Sequence, residues 1–377
     1  MRDMSPRLLL SCALVLAPAG RSQEDGPALR AAVARFAETV KQGEVLGAVL
    51  MVTQGDRVLV HEALGHRDVA RAEPMQKDTL FRMASNTKAV TAAAILALVE
   101  DGDVELDGPI ARWFPTFEGG RGSEVTIRQL LSHSSGLRIP TLFVYPLTSK
   151  SDAHPNAPDL VTECARFGEI GPSRAPGATY SYSNPGYNLL AGVVELASGR
   201  PFADFCRARF YEPLGMKDSC HHETVADNDR MSVVVQAEGE GRWRVRWRPH
   251  GAPTVPFVRG SGGMISTAAD FERFARLFVE AGARGGRPLL APATVAAATR
   301  DQLPHIEDAR YGFGWRIIDG GFSHSGSDGT YAWCSPDRRL VGLVFTQTQS
   351  SKALTAARER FRADVLAAIP PGEPARR

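Results

Sequence analysis

Strand-like segments occur near both ends of this chain, and the region between them is mainly helical. Short runs rich in apolar residues, bounded by turn residues, predict strands at 45–53, 57–63, 312–318, 330–335 and 340–348. A helical pattern over 29–40 precedes the first strand, and another over 352–369 follows the last one. We therefore expect one sheet assembled from both termini, with a helical region inserted and a cleft at the join.

The middle of the chain carries helical patterns separated by loops rich in proline and glycine. They predict helices over 86–98, 126–132, 189–198, 202–211 and a helix ending at Val279. Thr267 and Asp270 have the capping-box spacing that would begin the last of these. A hairpin is predicted at 231–248, where arginines alternate with Trp243, Val245 and Trp247. Period two indicates a half-buried strand here rather than a nucleic-acid surface.

The charge of the chain favours no polyanionic partner. The 377 residues have a formal net charge of +2, and like charges do not form long runs. We therefore expect neither a nucleic-acid nor a membrane-surface partner. Separately, the expected partner is a small-molecule substrate, and the expected state is a monomer or weak oligomer.

The amino terminus has the features of a secretory signal peptide. Arg2 and Arg7 precede an apolar run at 8–17, and Ala17-Pro-Ala19 supplies small residues for cleavage. The prediction is a signal peptide over 1–19, a periplasmic or secreted protein, and no stable membrane insertion after cleavage.

Four cysteines remain after the predicted cleavage site: Cys164, Cys206, Cys220 and Cys334. Their disulfide pairing is left open, although we favour free buried thiols.

The predicted helix over 86–98 carries a lysine in its first turn, in Ser85-Asn-Thr-Lys88. The chain has 6 lysines and 38 arginines, so a site that needed only positive charge would be expected to hold arginine. Residues i and i+3 share a helix face, so the Lys88 amine can reach the Ser85 hydroxyl. Burial can neutralise a lysine but not an arginine, and a neutral amine is a base. The pair therefore predicts a nucleophile beside its general base, at a helix N-terminus that favours an oxyanion.

Two later segments supply further polar groups that suit such a site. Tyr182-Ser-Asn184 offers a phenol and an amide two residues apart, able to face one cleft. His324-Ser-Gly-Ser327 is a glycine turn near a predicted strand. Taken singly, each segment is also consistent with ordinary turn chemistry. We interpret His133 as structural, satisfied within its own turn.

Taken together and in this order, the three segments resemble the serine β-lactamase and penicillin-binding-protein superfamily. The similarity is greatest to class C β-lactamases and family VIII carboxylesterases, and it extends to the phrases at 130–137, 212–216 and 260–267. It implies an α/β fold with a β-lactamase-like antiparallel sheet flanked by helices, plus an inserted mainly helical domain. The implied domains are 20–88 with 305–377 for the α/β part and 89–304 for the insertion.

The resemblance also implies roles for the site residues. Ser85 would be the acylated nucleophile, and Lys88 with Tyr182 the base network that activates serine and then water. Asn184 would contact a substrate amide, and the N–H groups of Ser85 and Ser327 would form the oxyanion hole. No cofactor and no metal is implied. The chain also lacks Gly-x-Ser-x-Gly, His-Glu-x-x-His and Cys-x-x-Cys motifs.

One departure from the family pattern bears on the substrate. Where lactamases and peptidases of this group carry a lysine for the substrate carboxylate, this chain has His324, predicted to face the substrate. Imidazole is a weaker anion partner than an ammonium group. We therefore expect a carboxylesterase for small neutral esters. The alternatives are β-lactamase or D-alanyl-D-alanine peptidase activity, or a binding protein for cell-wall fragments, although a pure binder needs no nucleophile with its base.

Overall fold

The computed structural model describes residues 26–70, 72–139, 158–239, 241–251, 253, 255–284 and 287–371. The predicted signal peptide lies outside the described residues. The helices are α1 Pro27–Lys41, α2 Thr87–Asp101, α3 Ile127–Leu131, α4 Leu160–Ile170, α5 Asn184–Ser198, α6 Phe202–Cys206, α7 Glu212–Leu214, α8 Ala268–Val279, α9 Pro292–Ala298 and α10 Lys352–Ala368. A π-helical turn, Arg207–Tyr211, joins α6 to α7.

The strands form a large antiparallel sheet and three small ones. They are β1 Gly47–Gln54, β2 Arg57–Asp68, β3 Glu73–Pro74, β4 Phe81–Arg82, β5 Cys220–His221, β6 Val234–Gly239, β7 Arg242–Trp247, β8 Met264–Ser266, β9 Ala283–Arg284, β10 Arg287–Pro288, β11 Arg316–Ile318, β12 Gly321–Ser325, β13 Tyr331–Ser335 and β14 Leu340–Thr346. The seven-stranded sheet has the order β11-β12-β13-β14-β1-β2-β3.

The central contact of the sheet is the pairing of β1 with β14, which joins the two ends of the chain. Ala48 lies opposite Thr346, and the register continues to Gln54 opposite Leu340. Because successive strand residues face opposite sides, each strand contributes to two cores. The predicted antiparallel sheet built from both termini is therefore confirmed, as is the α/β fold class.

The two cores lie on opposite faces of this sheet. On one face, Leu50 and Val344 pack with α1 and α10 through Phe36 and Phe361. On the other face, Val49 and Phe345 belong to the larger core, which contains residues of helices α2 to α9. Helix α2 lies inside this second core, with every residue of 87–98 buried, which explains why its sequence is apolar on all sides.

Side-chain caps begin α3 and α8, and the one at Thr267 was predicted from the sequence. Thr126 accepts a hydrogen bond from the Gln129 N–H in a capping box that begins α3, and Thr267 caps α8 through Asp270. The Trp side chains of β7 are partly buried while its arginines are exposed, which confirms the half-buried strand.

Strand assignment at the edge of the sheet was less accurate. The predicted strand over 312–318 contains only β11, and β12 was not predicted as a strand. Gly321 to Ser325 lack the β-branched alternation that marks a strand. Its pairing is decided by register with β13, where His324 lies opposite Ala332.

Candidate active site

The Ser85 side chain lies in a tight turn that leads directly into α2. Residues Ala84–Asn86 form a 3-10 turn, and α2 begins at Thr87. Ala84 has a φ of 44°, a strained conformation for a residue with a Cβ. Ser85 is thus held just before the N-terminus of a buried helix, where the orientation of the peptide groups favours negative charge.

The predicted contact between Ser85 and Lys88 is present. Lys88 Nζ lies 3.1 Å from Ser85 Oγ, and the lysine side chain is fully buried. Burial lowers the pKa of Lys88 well below its usual range, and the nearby Arg259 charge lowers it further. The free amine is therefore accessible near neutral pH.

Two further partners of Lys88 fix the direction of its lone pair. Nζ donates to Asn184 Oδ1 at 2.8 Å and to the carbonyl oxygen of Ser261 at 2.7 Å. Carbonyl oxygens only accept hydrogen bonds, so they take both N–H bonds of the neutral amine. The lone pair then remains for the Ser85 hydroxyl, which donates to it. This is the arrangement required of a general base beside its nucleophile.

Tyr182 lies on the open side of this pair. Its ring centroid is 4.8 Å from Lys88 Nζ, and 40% of the residue is exposed. Desolvation raises the pKa of Tyr182, an effect opposed by a hydrogen bond with Ser85. The group is therefore a neutral phenol at physiological pH, able to pass a proton, while Lys88 is the stronger candidate for the base.

The Tyr182-Ser183-Asn184 segment is held by α5 and by His133. Ser183 caps α5 by accepting from the Gly186 N–H, and this places Asn184 as the first residue of that helix. The Ser183 N–H donates to His133 Nδ1 at 3.0 Å. The prediction that His133 is satisfied within its own turn is therefore wrong, because its ring bonds to a segment 50 residues away.

The turn after β12 packs directly against the Ser85 turn. A Cβ at Gly326 would lie 2.5 Å from the Met83 carbonyl oxygen and 3.1 Å from the Ala84 Cβ, so only glycine allows this approach. Thr330 Oγ1 bonds the two turns together by donating to Met83 O at 3.1 Å. Within the described residues, the N–H groups of Ser85 and Ser327 have no acceptor. Both are thus available for the predicted oxyanion hole.

His324 lies in the site, but both of its ring nitrogens are occupied. Nδ1 lies 3.1 Å from the Ser325 carbonyl oxygen and must donate to it, so Nε2 accepts from the Tyr311 hydroxyl at 3.0 Å. Burial lowers the pKa of His324 to about 3, and the Lys88 charge contributes. The imidazole is therefore neutral at physiological pH. A direct bond from a ring nitrogen to substrate would require one of these partners to be exchanged.

These residues border a cavity of about 780 Å³. Ser85, Tyr182 and His324 lie on its wall, together with Tyr311 and Arg316, neither of which was predicted from the sequence. The role of Ser261 was also not predicted, although Ser261 lies in the 260–267 segment that resembles the family. A glycine-rich phrase gives no signal for a carbonyl that accepts from a lysine 173 residues away.

The described part of the chain contains no metal-type cluster of three His, Cys, Asp or Glu side chains. None of its helices has the length and apolar character needed to cross a membrane. The four cysteines at 164, 206, 220 and 334 are free thiols; three are buried, but Cys220 is partly exposed.

The site and the fold together define a class of protein, in which a serine and a lysine share the start of a buried helix beside an antiparallel sheet. The sequence model of the beta-lactamase family matches residues 32–367. The chain therefore belongs to the beta-lactamase family of serine hydrolases.

Known members of this family include esterases and penicillin-binding proteins. The chain is 33% identical to esterase EstB of Burkholderia gladioli, over 74% of this chain and 77% of that protein. It is 29% identical to penicillin-binding protein 4 of Amycolatopsis lactamdurans, over 83% of each. The solved structure of EstCE1, described as a hydrolase with promiscuous acyltransferase activity, superposes with a TM-score of 0.74 at 20% identity, covering 90% of this chain and 98% of that one. The last similarity concerns the fold alone.

Proposed function

We propose that this protein is a carboxylesterase that forms an acyl-enzyme on Ser85. The observation that carries the proposal is the set of Lys88 partners, in which two carbonyl oxygens take the N–H bonds and leave the lone pair to Ser85. The similarity to esterase EstB is consistent with this activity. Export to the periplasm or medium, as the amino-terminal sequence predicts, is part of the same proposal.

In this mechanism Lys88 takes the Ser85 proton while Oγ attacks the ester carbonyl carbon. The carbonyl oxygen becomes an oxyanion and accepts hydrogen bonds from the N–H groups of Ser85 and Ser327. The carbon–oxygen bond to the alcohol then breaks, and the alcohol leaves with the proton, passed from Lys88 directly or through the Tyr182 phenol. Water, deprotonated by the same groups, attacks the acyl-enzyme and releases the acid.

The nature of His324 supports esters that are uncharged next to the scissile bond. A neutral imidazole bonded to Tyr311 and Ser325 offers no charge to a carboxylate at that position. Hydrolysis of β-lactams or D-alanyl peptides is the second candidate, supported by the similarity to penicillin-binding protein 4.

A fluorophosphonate probe tests the nucleophile. We expect it to label Ser85 alone, because this serine has both an adjacent base and a helix N-terminus. Peptide mapping locates the label; Ser85→Ala should abolish it and the exposed control Ser123→Ala should not. Labelling that survives Ser85→Ala contradicts the assignment.

Initial rates and burst kinetics on p-nitrophenyl butanoate, nitrocefin and a D-alanyl-D-alanine peptide distinguish the candidate functions. For a carboxylesterase we expect turnover of p-nitrophenyl butanoate to exceed that of nitrocefin and of the peptide. Turnover mainly of nitrocefin or the peptide would favour the second candidate, and stoichiometric binding without turnover would indicate a binding protein.

A further inference from the structure

The cavity that contains Ser85 continues around the edge of the large sheet to the opposite face. Arg316 on β11 lies opposite Ser323 on β12, so these two side chains share a face, and His324 points to the other one. Ser325 lies opposite Tyr331, which places Tyr331 on the same face as Ser323. Helix α10 covers this face and contributes Arg358 and Arg362 to the cavity wall. We call the part lined by Arg316, Ser323, Tyr331, Arg358 and Arg362 the arginine arm.

The arginine arm has an excess of positive charge. It holds three arginines and one acidic residue, Glu359, whose charge acts on Arg358. Among the described residues, none of the three arginines forms an ion pair within 4 Å. The pKa of Arg358 is lowered by desolvation, but a guanidinium keeps its proton at any physiological pH. The three guanidinium charges are permanent, and the carboxylates of Glu359 and Asp319 offset them without forming an ion pair with any of the three in the described residues.

The contacts of the two α10 arginines leave donors unused. Arg358 stacks over the Tyr331 ring at 5.2 Å and reaches Thr355 Oγ1 at 3.5 Å. Arg362 donates to the Asp319 carbonyl oxygen at 3.1 Å. Arg358 Nη1 and Arg362 Nε are buried, and neither has a hydrogen-bond partner in the described structure. Both side chains line the cavity, so an anion bound there would lie against their guanidinium groups and accept from the nitrogens that face it.

We propose that the arginine arm binds an anionic group at the far end of the substrate, so that the preferred esters are neutral beside the scissile bond and carry a carboxylate at a distance. This inference rests on the proposed esterase function, whose Ser85 opens onto the same cavity. Two guanidinium groups one helical turn apart, at positions i and i+4 of α10, suit a carboxylate because both can donate to its oxygens.

The position of the arm sets the length of the substrate. A chain must pass from the Ser85 side of β12 to the face covered by α10, a distance on the order of 5–10 Å. The Arg316 charge already acts on His324 and Tyr182, so a carboxylate close to the ester meets this one arginine, whereas one on a longer chain also reaches Arg358 and Arg362. The carboxylate benefit should therefore increase with chain length.

The test uses p-nitrophenyl half-esters of succinic, adipic and suberic acid, each compared with the same ester capped as a primary amide. The measured quantity is the ratio of kcat/KM for the carboxylate to that for the amide. In the wild type we expect the ratio to be lowest for succinate and about tenfold higher for suberate, the scale of a charge-assisted hydrogen bond to Arg358 and Arg362. The pair 4-carboxyphenyl butanoate and 4-carbamoylphenyl butanoate applies the same comparison to the alcohol part.

The double variant Arg358→Gln/Arg362→Gln should return the suberate ratio to that of succinate. Arg360→Gln is the matched control, because it removes the same charge from an exposed position of α10 outside the cavity. The control should keep the wild-type ratio. The proposal is overturned if the wild-type ratio is near one both for the suberate half-ester and for the 4-carboxyphenyl and 4-carbamoylphenyl butanoate pair. It is also overturned if a high ratio survives in the double variant, or is lost equally in the Arg360→Gln control.

A second measurement needs no variant. Octanoate should inhibit neutral-ester hydrolysis by the wild type at concentrations about tenfold lower than octanamide, and equal inhibition contradicts the arm. The two proposals can fail separately. If the carboxylate-to-amide ratios are near one but neutral esters are still hydrolysed in a Ser85-dependent way, the arginine arm is contradicted and the esterase function is not. Ester hydrolysis that persists in Ser85→Ala would instead contradict the proposed function itself.

Discussion

The polar groups at the two ends of the active-site cavity differ in how burial affects their charge. At the Ser85 end, burial lowers the pKa of Lys88 and of His324 and raises that of Tyr182, so it favours the neutral form of each group. At the arginine arm, Arg316, Arg358 and Arg362 stay charged and line the cavity wall. The difference lies in residue chemistry: lysine and histidine can lose a proton when desolvated, and arginine cannot.

The neutral end is built from aromatic rings that exclude water. The His133 ring packs against Tyr180, Tyr182, Tyr187 and Tyr311, with centroids 4.3 to 6.0 Å apart. The groups that perform the chemistry are thus those that burial can neutralise, while the arginines, which stay charged, lie where they can select a substrate. Three experiments test this division.

The largest effect is expected from Lys88→Arg, which replaces a neutral base with a permanent cation. Turnover of p-nitrophenyl butanoate should fall by at least about a hundredfold, the scale of losing a general base. Lys88→Met, which cannot take a proton, should lose as much, and Lys77→Arg at an exposed lysine should lose nothing. Thermal unfolding of each variant shows whether it is folded. Activity retained in a folded Lys88→Arg would mean that Lys88 only supports the site electrostatically.

The next effect concerns stability at low pH. The unfolded chain protonates His324 near pH 6.5 and the folded protein only near pH 3, so the free energy of unfolding falls as the pH drops through this window. Between pH 7 and 4.5 the wild type should lose about 2–3 kcal/mol more than His324→Gln, whose carbonyl can still accept from Tyr311. Urea unfolding at both pH values measures this difference. His66→Gln, at an exposed histidine, should follow the wild type. Equal losses in the wild type and His324→Gln would show that His324 is charged in the folded protein.

The smallest effect is that of salt on the two ends of the cavity. Screening weakens interactions between exposed charges, and the Debye length falls from about 10 Å at 0.1 M salt to about 3 Å at 1 M. Over this range kcat/KM for the suberate half-ester should fall about threefold, while the amide-capped ester changes little. The same salt response for both esters would remove the distinction between the two ends.

Much of the architecture follows from local sequence patterns. Apolar runs bounded by turn residues located β1, β2, β13 and β14, helical patterns located α2 and α3, and a capping pair located α8, because each of these signals involves residues within a few positions of one another. The Ser85 and Lys88 contact was predictable for the same reason, since three residues separate its partners along one helical turn. The family motifs likewise brought Tyr182, Asn184 and His324 into consideration.

Only the tertiary structure decided what surrounds these residues. The acceptors that orient Lys88 come from positions 96 and 173 residues away, and the donor to His324 comes from Tyr311 on another segment. The arginine arm combines β11 with α10, and its position depends on the register of Arg316 opposite Ser323. No local pattern encodes such contacts, because they arise when the two ends of the chain pair as β1 and β14 and bring distant segments to one sheet edge.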